Sequence, residues 1–154
     1  MIEVNERIDV PSSPLAVWKV LSDPRAVVEC VPGASLGELQ DDGYYDAGLL
    51  VKFGPAKITF NARFMLELDE PALSGAVTSR GKDNQGGTRI HATMNFKVVD
   101  QEGGAGSSIL IDSSVEVSGR LSSVVESGAS LVVGRMTKEF TERLVARLAA
   151  GSAG

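Results

Sequence analysis

The sequence predicts an α+β fold: a curved, seven-stranded antiparallel sheet wrapped around one long C-terminal helix, with two short helices between the first and second strands. Three observations predict it. Residues 34–119 alternate apolar and polar side chains with period two, broken by short turn signals. Residues 120–149 contain no proline and carry apolar residues at helical spacing. Two cap-then-proline signals, Ser13-Pro14 and Asp23-Pro24, follow the first strand. Antiparallel sheets with one wet face give such alternation. Closing the sheet on an amphipathic helix buries the apolar face of each. The expected organisation is one domain over residues 1–150 and a flexible tail at 151–154.

In residues 2–10, Ile2, Val4, Ile8 and Val10 share one face, with Glu6 in the middle of it. Ser12 or Ser13 caps a short helix bearing Trp18 and Leu21 on one side, and Asp23-Pro24 opens a second helix that ends at Val31-Pro32-Gly33. Leu36–Gln40 is a short strand and Asp41-Asp42-Gly43 a hairpin turn. The next strand places Tyr45, Ala47, Leu49, Val51 and Phe53 on one face, before Gly54-Pro55 turns the chain. Residues 57–68 alternate most cleanly, with Ile58, Phe60, Ala62, Phe64, Leu66 and Leu68 on the apolar side. A weaker strand at 73–81 precedes a polar loop at 82–87. Ile90, Ala92, Met94, Phe96 and Val98 define the sixth strand, residues 101–106 a glycine-rich turn, and Ile109, Ile111, Val115 and Val117 the seventh.

As one helix, residues 120–149 run about 45 Å, against a radius of gyration of about 15 Å for a domain of this size. The helix therefore crosses the whole domain. Its apolar stripe is Leu121, Val125, Gly128, Val132, Met136, Phe140, Leu144 and Leu148. A four-residue repeat advances about 40° per step, so the stripe drifts and its two halves bury against different surfaces. Ser123 and Glu126 have capping-box spacing. Gly128 and Gly134 either leave room for a ligand or allow close packing or a mild bend.

Composition narrows the function. The net charge is −5 with 43% hydrophobic residues, which argues against nucleic acid, whose binding needs a basic footprint. No apolar run approaches the length that spans a bilayer, and the charged, alternating N-terminus is no signal peptide. The lone cysteine, Cys30, fits a reducing cytoplasm. It reads as a buried small apolar residue rather than a nucleophile. The one histidine, His91, shares a strand face with Arg89, Thr93, Asn95 and Lys97 and points to solvent. One histidine and one cysteine at unrelated positions make no metal site without several carboxylates, and no Ser-His-Asp set has an inward histidine. Residues 103–106 lack the lysine of a phosphate loop and read as a hairpin turn. Glu6 is left: buried, it would contact a ligand's polar head or act as a base; at a wet sheet edge it would do neither.

Several segments carry a resemblance. They are Val17-Trp18 with Leu21-Ser22-Asp23-Pro24, Cys30-Val31-Pro32-Gly33-Ala34, Val51-Lys52-Phe53-Gly54-Pro55, Val117-Ser118-Gly119-Arg120-Leu121 and Phe140. In this order the chain resembles the CoxG family of carbon monoxide dehydrogenase, within the START-like, SRPBCC helix-grip superfamily. The resemblance implies an accessory protein of aerobic carbon monoxide dehydrogenase or a related molybdenum hydroxylase, peripheral to the inner face of the cytoplasmic membrane, with no catalytic residues.

Electrons from carbon monoxide must reach a respiratory quinone whose isoprenoid tail keeps it in the bilayer. An apolar cavity favours that tail by about 0.8 kcal/mol per buried CH₂. The expected ligand is therefore an isoprenoid quinone such as menaquinone. It would lie against Leu49, Phe53, Phe60, Phe64, Met94, Phe96, Ile111, Leu121, Val125, Val132 and Met136. Val31, Pro32, Gly54 and Pro55 would frame the cavity mouth, with Glu6 as a polar contact. Two other readings compete. A recruitment adaptor would have a filled core, and a cyclase-type enzyme on the same fold would need at least two inward titratable groups.

Overall fold

The computed structural model describes residues 2–53, 55–85, 87–101 and 106–153, with backbone alone at 56 and 151–153. Seven strands and three helices follow in the predicted order. Strand β1 is Ile2–Val10, followed by α1 (Pro14–Leu21) and α2 (Pro24–Cys30). Then come β2 (Ala34–Leu39), β3 (Tyr45–Phe53), β4 (Ala56–Asp69), β5 (Ser74–Asp83), β6 (Thr88–Asp100) and β7 (Ser107–Gly119). The chain ends in α3 (Ser122–Ala153). All neighbouring strands are antiparallel, in the order β1-β7-β6-β5-β4-β3-β2. The first strand therefore crosses to pair with the last, and β1 and β2 form the edges.

Local chemistry sets the boundaries. Ser13 Oγ accepts from Ala16 N–H at 3.2 Å and Asp23 Oδ1 from Arg25 N–H at 3.1 Å, each capping a helix whose first residue is proline. Gly33 has φ of +79°, and a Cβ there would stand 2.3 Å from Leu50 O. Only glycine lets the turn after α2 lie on β3, where Leu50 N–H donates to Gly33 O at 2.9 Å. Gly119 has φ of +104°, and its missing Cβ leaves space for Gly87 O, which accepts from Arg120 N–H.

The start of α3 departs from the capping-box expectation. The helix begins at Ser122, which puts Ser123 and Glu126 inside it, both exposed. Leu121 occupies the cap position. Its carbonyl accepts from Val125 N–H, and its own N–H is taken by Oγ1 of the fully buried Thr88 at 2.9 Å. The helix is thus anchored by a hydroxyl from β6, a partner far away in sequence. The predicted polar loop also begins later than expected, because β5 runs on to Asp83. That buried carboxylate accepts from the backbone N–H of Gln85 and Gly87 and ties down the turn into β6.

The core forms two clusters. One gathers Ile8 and Val10, Val17, Trp18 and Leu21 of α1, Cys30, Phe96, Val98, Ile109, and Leu144 and Leu148 of α3. The other holds Val51, Ile58 and Phe60 with Val125 and Val132 of α3. The drift of the helical stripe is therefore realised: the N-terminal half of α3 packs over β3 and β4, its C-terminal half over α1, α2 and β1. Gly128 belongs to close packing, since a Cβ there would lie 2.9 Å from the Phe53 ring, whereas Gly134 faces open space.

Candidate functional site: an uncovered apolar floor between two cores

The register of the sheet places its concave side chains in rows running across the strands. Three adjacent rows lie between the two clusters, with Leu66 and Val77 packed against the first cluster and Ile2, Ile90 and Val117 against the second. The first is Val4–Ser113–Met94–Val77–Leu66. The second is Ile2–Val115–Ala92–Ser79–Phe64–Tyr45. The third is Val117–Ile90–Gly81–Ala62–Ala47–Leu36. None of these residues is fully buried, and Met94 retains 36% exposure although it faces inward. On one side the next row holds half-buried Glu6 and Ile111 with buried Phe96, and only the row beyond it, Ile8, Ile109 and Val98, is closed; on the other side Phe60 is buried in the next row and Val51 and Ile58 in the one beyond.

The path of α3 accounts for the gap. Its backbone approaches β3 on one side and β1 and β7 on the other more closely than it does the three central strands. Small side chains deepen the floor beneath it: Ala47, Ala62, Gly81, Ser79, Ala92 and Ser113. With strands about 4.8 Å apart and rows about 6.8 Å apart, the floor measures roughly 24 by 14 Å. Met136 and Phe140 of α3, both half-buried, mark the stretch of helix between its two anchorages.

This geometry divides the residues expected to line a cavity. Phe64 and Met94 lie on the uncovered floor. Leu49, Phe53, Leu121 and Met136 are half-buried at the margin of the second cluster, and Ile111 at that of the first. Phe60, Val125 and Val132 are interior to the second cluster. Phe96 is 8% exposed, with its ring centroid 6.1 Å from that of Trp18, so it is a packing residue. Val31 and Pro32 are half-buried beside β3 and Pro55 is exposed, while Gly54 lies outside the described residues. The turn residues 102–105 also lie outside them. Glu6 is half-buried on edge strand β1 opposite Ile111, one row beyond the floor.

Reading inward positions by size missed the small residues of the floor. A signal was present: Ala47, Ala62, Ser79, Gly81 and Ala92 recur at inward positions of four successive strands, where a filled core would carry larger side chains. The three rows hold no Asp, Glu, His, Lys, Arg or Cys; their polar groups are the hydroxyls of Ser79, Ser113 and Tyr45.

His91 is exposed on the convex face. Among the described residues no group of three or more His, Cys, Asp or Glu is placed to hold a metal ion. No helix among them is long and apolar enough to cross a membrane. Cys30 is 2% exposed, and burial pushes its thiol above the usual range. Native Cys30 is expected to react with iodoacetamide at least about tenfold more slowly than in denaturant at neutral pH. Equal rates, read by mass spectrometry of the alkylated peptide, would refute its packed state.

A curved antiparallel sheet gripping a long C-terminal helix is the START-like helix-grip fold. The chain belongs to the CoxG family, named for the G component of carbon monoxide dehydrogenase, whose pattern matches residues 7–149. Solved structures share the fold at low identity. A conserved protein from Geobacillus kaustophilus superposes with a TM-score of 0.82 at 19% identity, over 97% of this chain and 96% of that one. The Zhui aromatase/cyclase from a Streptomyces species gives 0.62 at 15%, over 96% and 93%. A START superfamily protein from Mycobacterium smegmatis gives 0.60 at 14%, over 96% and 97%. No curated protein matches the chain by sequence.

Proposed function

We propose that this protein carries an isoprenoid quinone of the menaquinone type on the floor beneath α3. It delivers the quinone between the cytoplasmic membrane and a molybdenum hydroxylase of the carbon monoxide dehydrogenase kind. The observation that carries the reading is a patch of inward, partly accessible residues, among them Met94, Ala92, Phe64 and Tyr45, that belongs to neither core cluster. Leaving such a surface open forfeits about 25 cal/mol per Å² of burial, a cost that a hydrophobic ligand removes. The hydroxyls of Ser79, Ser113 and Tyr45 offer hydrogen bonds to quinone oxygens. The absence of ionisable side chains from the rows, tyrosine apart, favours a carrier over the cyclase chemistry found on the same fold. The uncovered rows likewise favour a carrier over an adaptor with a filled core.

Membrane contact is supported at the edge where α3 meets β3. Leu131 is 81% exposed, and Val124, 38% exposed, lies beside Phe53. Lys52 and Lys57, a cross-strand pair at the end of the β3–β4 hairpin, add positive charge suited to anionic lipid.

The test is mass spectrometry of an organic extract of the purified protein from a quinone-producing host. Near-stoichiometric isoprenoid quinone is expected. An empty extract, with no uptake from quinone supplied in detergent, would overturn the reading.

A further inference from the structure

The convex face of the sheet carries charge placements that folding alone disfavours. Arg63 on β4 stands directly opposite Arg80 on β5, and Lys82 on β5 directly opposite Arg89 on β6. Arg80 also faces His91. Like charges at opposed positions repel and destabilise a sheet, yet two such pairs occupy adjacent rows in a chain of net charge −5.

Internal partners neutralise one of these cations. Arg63 pairs with Asp42 at 3.0 Å and Asp46 at 3.3 Å. The N–H of Tyr44, together with Arg63, holds the Asp42 carboxyl below the usual range. Among the described residues, Arg80, Lys82 and Arg89 enter no ion pair. The Tyr44 ring lies 5.5 Å from the Arg63 guanidinium and 5.8 Å from that of Arg80, providing a platform for both. Arg80, Gly81 and Arg89 line two adjoining shallow depressions, one extending toward β3, the other toward β7.

We propose that this face of β4, β5 and β6 docks a carboxylate-bearing surface of a partner protein, centred on Arg80, Lys82 and Arg89. The partner is taken to be the molybdenum hydroxylase that receives the quinone, so the proposal rests on that reading. Guanidinium groups pair with carboxylates in bidentate fashion, and Arg and Tyr are enriched among residues that dominate interface energies.

The distribution of acids favours a protein over a bilayer. Asp46 and Glu116 stand at the two ends of the row that contains Arg63, Arg80 and His91. Glu67, Asp69 and Asp112 occupy the far end of the same face. A uniformly anionic membrane would press on these carboxylates as well. A protein surface can set its acids against the three cations and its own cations against Glu116, which also fixes orientation. The face lies on the opposite side of the sheet from the apolar floor, so docking leaves the floor accessible.

The experiment measures binding of the purified carbon monoxide dehydrogenase complex of the same organism to immobilised protein by biolayer interferometry, at low and physiological salt. The double variant R80E/R89E is expected to weaken binding at least about tenfold, mainly through slower association. The control K19E/R25E, equal in charge change on the exposed α1–α2 surface, is expected to bind as the parent does. R80E/R89E places acids opposite Arg63 and Lys82, so its melting temperature should not fall. Enzyme binding unchanged by R80E/R89E would overturn the docking surface and leave the accessory reading standing. No binding by the parent protein would overturn both. If phosphatidylglycerol vesicles, and not the enzyme, lose binding in R80E/R89E, the face serves lipid and the proposal fails.

Discussion

Ala92→Phe is expected to abolish the quinone binding proposed for the floor while leaving the fold stable. Ala92 lies at the centre of the second uncovered row, between Ser79 on β5 and Val115 on β7, pointing toward the open space under α3. In a filled core an added phenyl ring forces neighbours off their rotamers and costs about 1–3 kcal/mol. On an uncovered floor the ring occupies space that ligand would take, and phenylalanine suits a strand. The ligand-free variant is therefore expected to melt no lower than the ligand-free parent. Bound quinone should fall by about a hundredfold, close to 3 kcal/mol of binding. Denaturant unfolding and quantitative extraction of the same samples separate the two effects. They must be compared without ligand, because a bound quinone itself raises the parent's apparent stability. A loss of about 1–3 kcal/mol in the ligand-free variant would mean the space is already packed, and the adaptor reading would take over.

The strands and long helix were legible because their signals are local. Alternation in residues 57–68 needs no knowledge of the rest of the chain, and the drifting stripe of α3 told that its halves pack on different surfaces. The site was less legible because coverage is a non-local property. Phe60, Phe96 and Met94 are equivalent in a period-two pattern. Phe96 is closed by Trp18 from a helix that precedes it by more than seventy residues, Phe60 by the N-terminal half of α3, and Met94 by neither cluster. The same limit hid the cap of α3, where Ser123 and Glu126 matched a local rule but Thr88, a strand away, took the backbone donor. It also hid the opposed cations of the convex face. Arg63 and Arg80 are ordinary solvent-side residues until the β4–β5 register sets them against each other.

Leu144→Ala will produce the largest loss of stability among conservative truncations of α3. Leu144 is completely buried and sits in the cluster that joins α1, α2, β1, β6 and β7 to the C-terminal half of the helix. Removing its isopropyl group creates a cavity bounded by several elements that cannot all close on it, at a cost of about 2–5 kcal/mol. Against a total of about 5–15 kcal/mol for a domain, that is a large fraction, and a marked fall in the urea midpoint is expected. Leu131→Ala on the same helix removes the same atoms from a residue 81% exposed and should stay within about 0.5 kcal/mol of the parent. The two clusters add a spatial expectation. The floor between them is uncovered, so little packing transmits the damage from one to the other except α3 and the sheet itself. Hydrogen exchange in Leu144→Ala should therefore lose more protection at amides 140–148 than at 125–132, as local opening predicts. Equal losses in both halves would mean that the clusters open as one unit. Ligand entry would then require opening the whole grip rather than a swing of one end of the helix.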